Sequence, residues 1–343
     1  MYAATFREYG PPSVMRWERV PDPRPERGEV VISVRTCGLN HCDLDSRAGT
    51  SRWTFDFPMV LGAEFAGYID EIGEGVSGWE VGQPVTALQQ YSCGTCDRCR
   101  GWRPDRCRDF VVFGTDRWGG YAQRVSVPAH TLIALRGPRD FMTAAAAQCV
   151  VSTAWHMVMS MARPRDGETV LVPSAGGGVA GALVQCAKMA GARVIATVGD
   201  SGKAEGVRKL GADVVLNYRQ DDIVAAVRDL TGGEGADVVL DTVGGPLFGK
   251  HLEALRVDGQ FITCGAHAGE VVDLDIIPLF RRGLSVRGFR LAAPDEIRHS
   301  LQLALDGRIT VPVYQTFPLS ETAAAHEALD RRQHVGKIVL VNE

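Results

Sequence analysis

The apolar positions along the chain change period once. In the first part, short Val/Ile-rich runs alternate with Gly and Pro: GEVVISVRTCGLN (28–40), FPMVLGAEFAGYIDEIG (57–73), VGQPVTAL (81–88) and GGYAQRVSVPAHTLIAL (119–135). Runs of this length, bounded by turn residues, predict an antiparallel, barrel-like β domain. From about Thr143 the pattern becomes apolar strands separated by Ala-rich helical stretches: ETVLVPSAGGG (168–178), VAGALVQCAKMAGA (179–192), RVIATVG (193–199), KAEGVRKLGA (203–212), ADVVLDTVGG (236–245) and QFITCG (260–265). This alternation predicts βαβ units and a doubly wound parallel sheet. Beyond about Arg287 the alternation stops, and SETAAAHEALDRRQHVGKIVLVNE (320–343) reads as one helix and a last strand that returns to the first domain. The expected division is therefore 1–149 with 288–343, and 150–287.

With 343 residues, two domains are the expectation. A formal net charge of -4 and 23% charged residues give no global attraction to nucleic acid or an anionic membrane surface, so a small-molecule substrate is the expected partner. The N-terminus carries charge and Pro where a signal peptide needs an apolar core, and no apolar run approaches the ~20 residues of a membrane span, so a cytoplasmic location is expected.

Two motifs carry chemistry. Cys93, Cys96 and Cys99 are spaced by two residues, and Cys107 follows within a lobe at about 90–110. Four thiolates so spaced complete the tetrahedron of a structural zinc site and leave no position for water. An iron-sulfur cluster is the competing reading. Trp102 and Trp118, flanking this lobe, are expected to pack. The second motif, Ala175-Gly176-Gly177-Gly178-Val179-Ala180-Gly181, lies between a strand and a helix, with another strand about twenty residues on. Its glycines allow a tight turn that brings backbone close to a pyrophosphate seated on a helix N-terminus. At the end of the second strand stand Gly199, Asp200 and Lys203, with Tyr218 and Arg219 at the next strand end. Lys203, Tyr218 and Arg219 suit a 2′-phosphate and Asp200 a free ribose diol. NADPH is favoured over NADH.

The chain resembles the medium-chain dehydrogenase/reductase superfamily, which contains zinc alcohol dehydrogenases, quinone reductases and enoyl reductases. The resemblance rests on GLNHCDLDSRAG (38–49), FPMVLGAEFAG (57–67), the cysteine lobe, STAWH (152–156), AGGGVAGALVQCAKMAGA (175–192), NY (217–218), DVVLDTVGG (237–245) and GKIVL (336–340), and covers nearly the whole length. It implies an α/β fold: a GroES-like β-barrel catalytic domain plus a Rossmann doubly wound parallel sheet. In the family's register the phosphate loop reads A-x-G-G-x-A at Ala175, Gly177, Gly178 and Ala180. The resemblance also places Thr153, Val243, Gly244, Gly265 and Ala266 beside the cofactor, and implies a homodimer or homotetramer.

Zinc alcohol dehydrogenases of the superfamily hold a second, catalytic zinc. At the three matching ligand positions this chain has Asn40, Ala63 and Cys149, so the usual site is lost, although Glu64, His41 and Cys149 leave a rebuilt metal site open. Without that metal the resemblance is to quinone and enoyl reductases. Asn40 is then expected to donate an amide hydrogen bond to a substrate carbonyl, His41 to lie near the cofactor, and Asp43 to orient His41 or the loop. The expected function is NAD(P)H-dependent reduction of an α,β-unsaturated carbonyl or a quinone. The alternatives are an alcohol dehydrogenase with a rebuilt zinc site and a superfamily member that binds NADPH without turnover.

Overall fold

A computed structural model describes residues 1–342. The chain divides into two compact units, Met1–Cys149 with the chain from Ala293 onward, and Val150–Ala292. The second boundary lies past the expected Arg287, because strand Ser285–Gly288 still pairs in parallel with Leu255–Thr263 and Phe289 N–H donates to Thr263 C=O at 2.7 Å.

The first unit is built around strand Glu29–Gly38. It pairs antiparallel with Glu64–Ile72, with Arg124–Pro128 through its first half, and with Lys337–Val341 through its last residues. The C-terminal strand Lys337–Val341 also pairs in parallel with Val313–Pro318. One face of this sheet closes on a core that includes Phe6, Ile32, Leu61, Phe65, Ile69, Phe113 and Tyr121. Strand Glu29–Gly38 is buried on both faces at most positions, which is why its sequence is nearly continuous in Val, Ile and Cys rather than alternating. It runs into helix His41–Ala48, which stops at Gly49 in the left-handed conformation (φ 79°).

The second unit carries a six-stranded parallel sheet. Its spatial order is Val214–Asn217, Arg193–Val198, Thr169–Val172, Ala236–Asp241, Leu255–Thr263, Ser285–Gly288. Numbered within the unit this is 3-2-1-4-5-6, the dinucleotide-binding order, whose switch point lies at the carboxyl end of Thr169–Val172. Ser285–Gly288 forms one edge of the sheet. No helix among the described residues is long and apolar enough to cross a membrane.

Candidate functional site

The cysteine lobe folds around a short helix, Asp97–Arg100, which lets Cys96 and Cys99 face the same point. The Sγ atoms of Cys93, Cys96, Cys99 and Cys107 lie within 4.8 Å of one another. Individual separations are 3.5 Å for Cys96–Cys99 and Cys93–Cys107, and 4.0 Å for Cys93–Cys99 and Cys96–Cys107. A tetrahedron with 2.3 Å metal–sulfur bonds has edges of roughly 3.8 Å, so the donor set fits one zinc ion without rearrangement. The backbone amides of Thr95 and Cys96 lower the Cys93 thiol to about 6, while burial and the neighbouring thiols push Cys99 up to about 12. Trp118 packs, its indole N–H donating to Pro58 C=O at 3.0 Å. Trp102 does not. It sits at φ 60° just after the helix turn and is 91% exposed, because the turn that closes the lobe points it outward.

In the second unit, strand Thr169–Val172 ends in a turn at Ser174 (φ 54°), tied back by Ala175 N–H to Thr197 C=O at 2.8 Å. Gly177 is the N-cap of the twelve-residue helix Gly178–Met189 and offers no side chain to its first amides. A Cβ on Gly177 would meet only Ser174 O, 3.8 Å away, so the space before the helix is open for a phosphate. Ala175 and Gly176 are buried beneath the loop, whereas Gly177, Gly178 and Val179 are half-buried at its surface. Thr153 is buried in helix Arg139–Trp155.

At the next strand end Asp200 caps the turn Ser201–Lys203, Oδ1 accepting from Gly202 N–H at 2.9 Å. The Tyr218 phenol packs against Gly199 where a Cβ would stand, so a side chain there would displace the ring. The loops carrying Val243–Gly244 and Gly265–Ala266 lie backbone to backbone, joined by Ala268 N–H to Val243 C=O at 2.9 Å. A Cβ on Gly244 would meet Gly269 O at 3.0 Å and Ala266 Cα at 3.2 Å.

The first unit brings three strand ends together. Asn40 follows the end of Glu29–Gly38, while Glu64 and Lys337 start the two strands paired on either side of it. Glu64 is fully buried and Lys337 nearly so. Their side chains form an ion pair, and Lys337 Nζ also donates to Asn40 Oδ1 at 2.7 Å. Asn40 Nδ2 donates to Glu64 Oε1 at 2.9 Å, and the other carboxylate oxygen accepts Cys149 N–H at 2.8 Å. Burial alone would lower the Lys337 pKa, but the Glu64 carboxylate outweighs it and raises the ammonium above its ordinary value. Gly38 is required here, because a Cβ would be driven into the Ala145 carbonyl and would approach Glu64 Oε1 to 2.9 Å.

Beside this network, Asp43 Oδ2 accepts from Asn40 N–H and from Tyr121 O–H, each at 2.9 Å. Burial pushes the Asp43 carboxyl up to about 6, against the pull of those two donors. Asp43 thereby joins the Asn40 backbone to the Tyr121 hydroxyl. The His41 ring faces His334, 6.3 Å between centroids.

Comparison with known proteins agrees with these elements. Residues 26–137 match the alcohol dehydrogenase GroES-like domain and residues 178–306 the zinc-binding dehydrogenase domain. A 2-haloacrylate reductase of Burkholderia sp is 30% identical, covering 99% of this chain and 98% of that protein. The chain belongs to the medium-chain dehydrogenase/reductase superfamily. An acryloyl-coenzyme A reductase of Sulfurisphaera tokodaii is 26% identical over 96% of this chain and 97% of its own length. The crystal structure of an NAD-dependent alcohol dehydrogenase superposes with a TM-score of 0.94 at 35% identity, covering 100% of both chains.

Membership of the medium-chain dehydrogenase/reductase superfamily makes the chain an oxidoreductase using a nicotinamide cofactor. Among the described residues, Cys93, Cys96, Cys99 and Cys107 form the one group of three or more His, Cys, Asp or Glu donors close enough to hold a metal ion. Of the three positions matched to catalytic-zinc ligands by the resemblance, Asn40, Ala63 and Cys149, Asn40 is hydrogen-bonded to both Lys337 and Glu64, and Cys149 donates its backbone N–H to Glu64. Sequence reasoning passed over Lys337 and Tyr121. Lys337 had a local signal, a cation opening the otherwise apolar run KIVLV, but Tyr121 lies among ordinary core residues and had none.

Proposed function

We propose that the chain is an NADPH-dependent reductase of α,β-unsaturated acyl compounds, transferring hydride without a catalytic zinc. The observation that carries this reading is the closed Asn40–Glu64–Lys337 network around Asn40, one of the three positions that the resemblance matches to catalytic-zinc ligands. A lysine ammonium held there by a carboxylate and an amide oxygen repels a divalent cation and uses the donors that would bind it. The relatives named for reducing acryloyl-coenzyme A and 2-haloacrylate act on activated C=C bonds, which supports the same substrate class here.

When bound, the nicotinamide cofactor would supply the hydride, with its pyrophosphate held by the backbone amides of Gly178 and Val179 at the helix start. Asn40 contributes an N–H to the substrate carbonyl oxygen as enolate charge develops. One Nδ2 hydrogen serves Glu64 and the second remains for this role. The preference for NADPH rests on Lys203, Tyr218 and Arg219 near the strand ends, groups suited to a 2′-phosphate.

The test is oxidation of NADPH and NADH with acryloyl-coenzyme A, 2-haloacrylate, quinones and aldehydes, alongside zinc content. Reduction of the acrylates with NADPH and one zinc per chain is expected. Two zincs with alcohol oxidation would sink the reading. Replacing Asn40 by Ala should lower kcat far more than NADPH affinity. We also propose a homodimer built on the sheet edge Ser285–Gly288, near which Ile276, Phe280 and Val286 are 62%, 67% and 40% exposed. Light scattering should give twice 37.1 kDa, and Val286→Pro should halve that mass.

A further inference from the structure

The amide of Asn40 sits between two groups that each admit only one of its ends. Lys337 Nζ has hydrogens and no acceptor, so the atom 2.7 Å from it must be the amide oxygen. The Glu64 carboxylate only accepts, so the atom 2.9 Å from Oε1 must be the amide nitrogen. The orientation of Asn40 is therefore dictated by charge on both sides. Neither charge belongs to the loop that carries Asn40. They arrive on two neighbouring strands, and both are buried, where an ion pair is screened little by solvent.

We infer that Lys337 is a positioning residue of the reduction, orienting and polarising the Asn40 amide so that its free N–H meets the substrate carbonyl oxygen. This rests on the reductase reading above. In the reaction, hydride from NADPH bonds to the β-carbon of the acryloyl group and the C=C π pair moves to leave an enolate. Water then protonates the α-carbon, giving the propionyl product and NADP⁺. The enolate oxygen is the atom on which negative charge gathers. An ammonium on Oδ1 draws electron density from the amide and strengthens Nδ2–H as a donor at that moment. A fixed cation, acting through one amide, thus supplies electrostatic stabilisation at the enolate oxygen.

The discriminating variant changes both charges together. Lys337→Met alone would strand the buried Glu64 carboxylate, whereas Lys337→Met with Glu64→Gln removes the pair and leaves no lone charge. The carboxamide introduced by Glu64→Gln must turn its carbonyl to the Cys149 N–H, so its NH₂ faces Asn40 and the Asn40 amide is driven to flip. Initial rates with NADPH and acryloyl-coenzyme A should then show kcat lowered roughly 100-fold, the usual loss of one oxyanion donor. The dissociation constant of NADPH, read by fluorescence, should change less than about twofold.

The same double change made in an Asn40→Ala background should lower kcat no further, because the lysine acts through the amide. Independent, multiplicative losses would overturn the inference, as would a parallel weakening of NADPH binding. Should the double variant not fold, Lys337→Arg in the wild-type and Asn40→Ala backgrounds gives the same comparison. It keeps the cation but displaces its donors. A wild-type chain that reduces no acrylate removes the reductase reading and this inference with it. Active wild type with independent losses removes the inference alone.

Discussion

Asp43→Asn isolates one buried carboxyl whose protonation is coupled to folding. In the folded chain burial raises this group from 3.8 to about 6, with Asn40 N–H and Tyr121 O–H only partly offsetting the effect. Because the folded value lies above the unfolded one, folding favours the protonated form. The associated stability is fully present below about pH 3.8 and is lost as pH rises through about 6. The whole shift corresponds to roughly 3 kcal/mol, of which about 1.4 kcal/mol falls between pH 5 and pH 7.5. The carboxamide of the Asp43→Asn variant cannot ionise, so the variant's stability relative to wild type should improve by about that amount over the same interval. Urea unfolding of both proteins at the two pH values, in the presence of zinc, measures the difference while the titration of other groups cancels. A relative stability that is flat with pH, or that moves in wild type's favour, would refute the assignment of Asp43 as a desolvated cap.

Three further outcomes are expected. Metal analysis of the purified chain should give one zinc, and Cys96→Ser should lose it with a lowered melting temperature, since the remaining three thiolates no longer close the tetrahedron. Gly38→Ala should fail to accumulate as folded protein, because its Cβ is directed into the Ala145 carbonyl backbone and no side-chain movement relieves that overlap. Trp102→Ala should leave the melting temperature unchanged within about 1 °C, as expected for an exposed residue away from packing, and a large drop would show that the ring is covered.

What could be read beforehand follows from which signals are local. Five of the six parallel strands, the glycine loop and the cysteine lobe declare themselves through periodicity and spacing inside short windows. The misreadings came where distant segments decide. Ser285–Gly288 lacks a following helix–strand unit, so its membership of the sheet is visible only through its pairing with Gln260–Thr263. Trp102 reads as a packing residue by type, yet a backbone turn at φ 60° faces it to solvent. Asn40 was legible as a chemical group, but the state of its amide depends on Lys337, 297 residues later, and on strand register that no local pattern reveals.

That separation has a consequence for the order in which the molecule becomes competent. During synthesis Asn40 and Glu64 emerge early, while the cation that balances Glu64 comes on strand Lys337–Val341, after the whole parallel-sheet unit. Until that strand slots beside Gly38, a carboxylate destined for full burial has no counter-charge, and closing the barrel around it is unfavourable. Glu64 is therefore expected to stay open to water until Lys337–Val341 pairs beside Gly38. The parallel-sheet unit can finish folding before the Asn40–Glu64–Lys337 network closes.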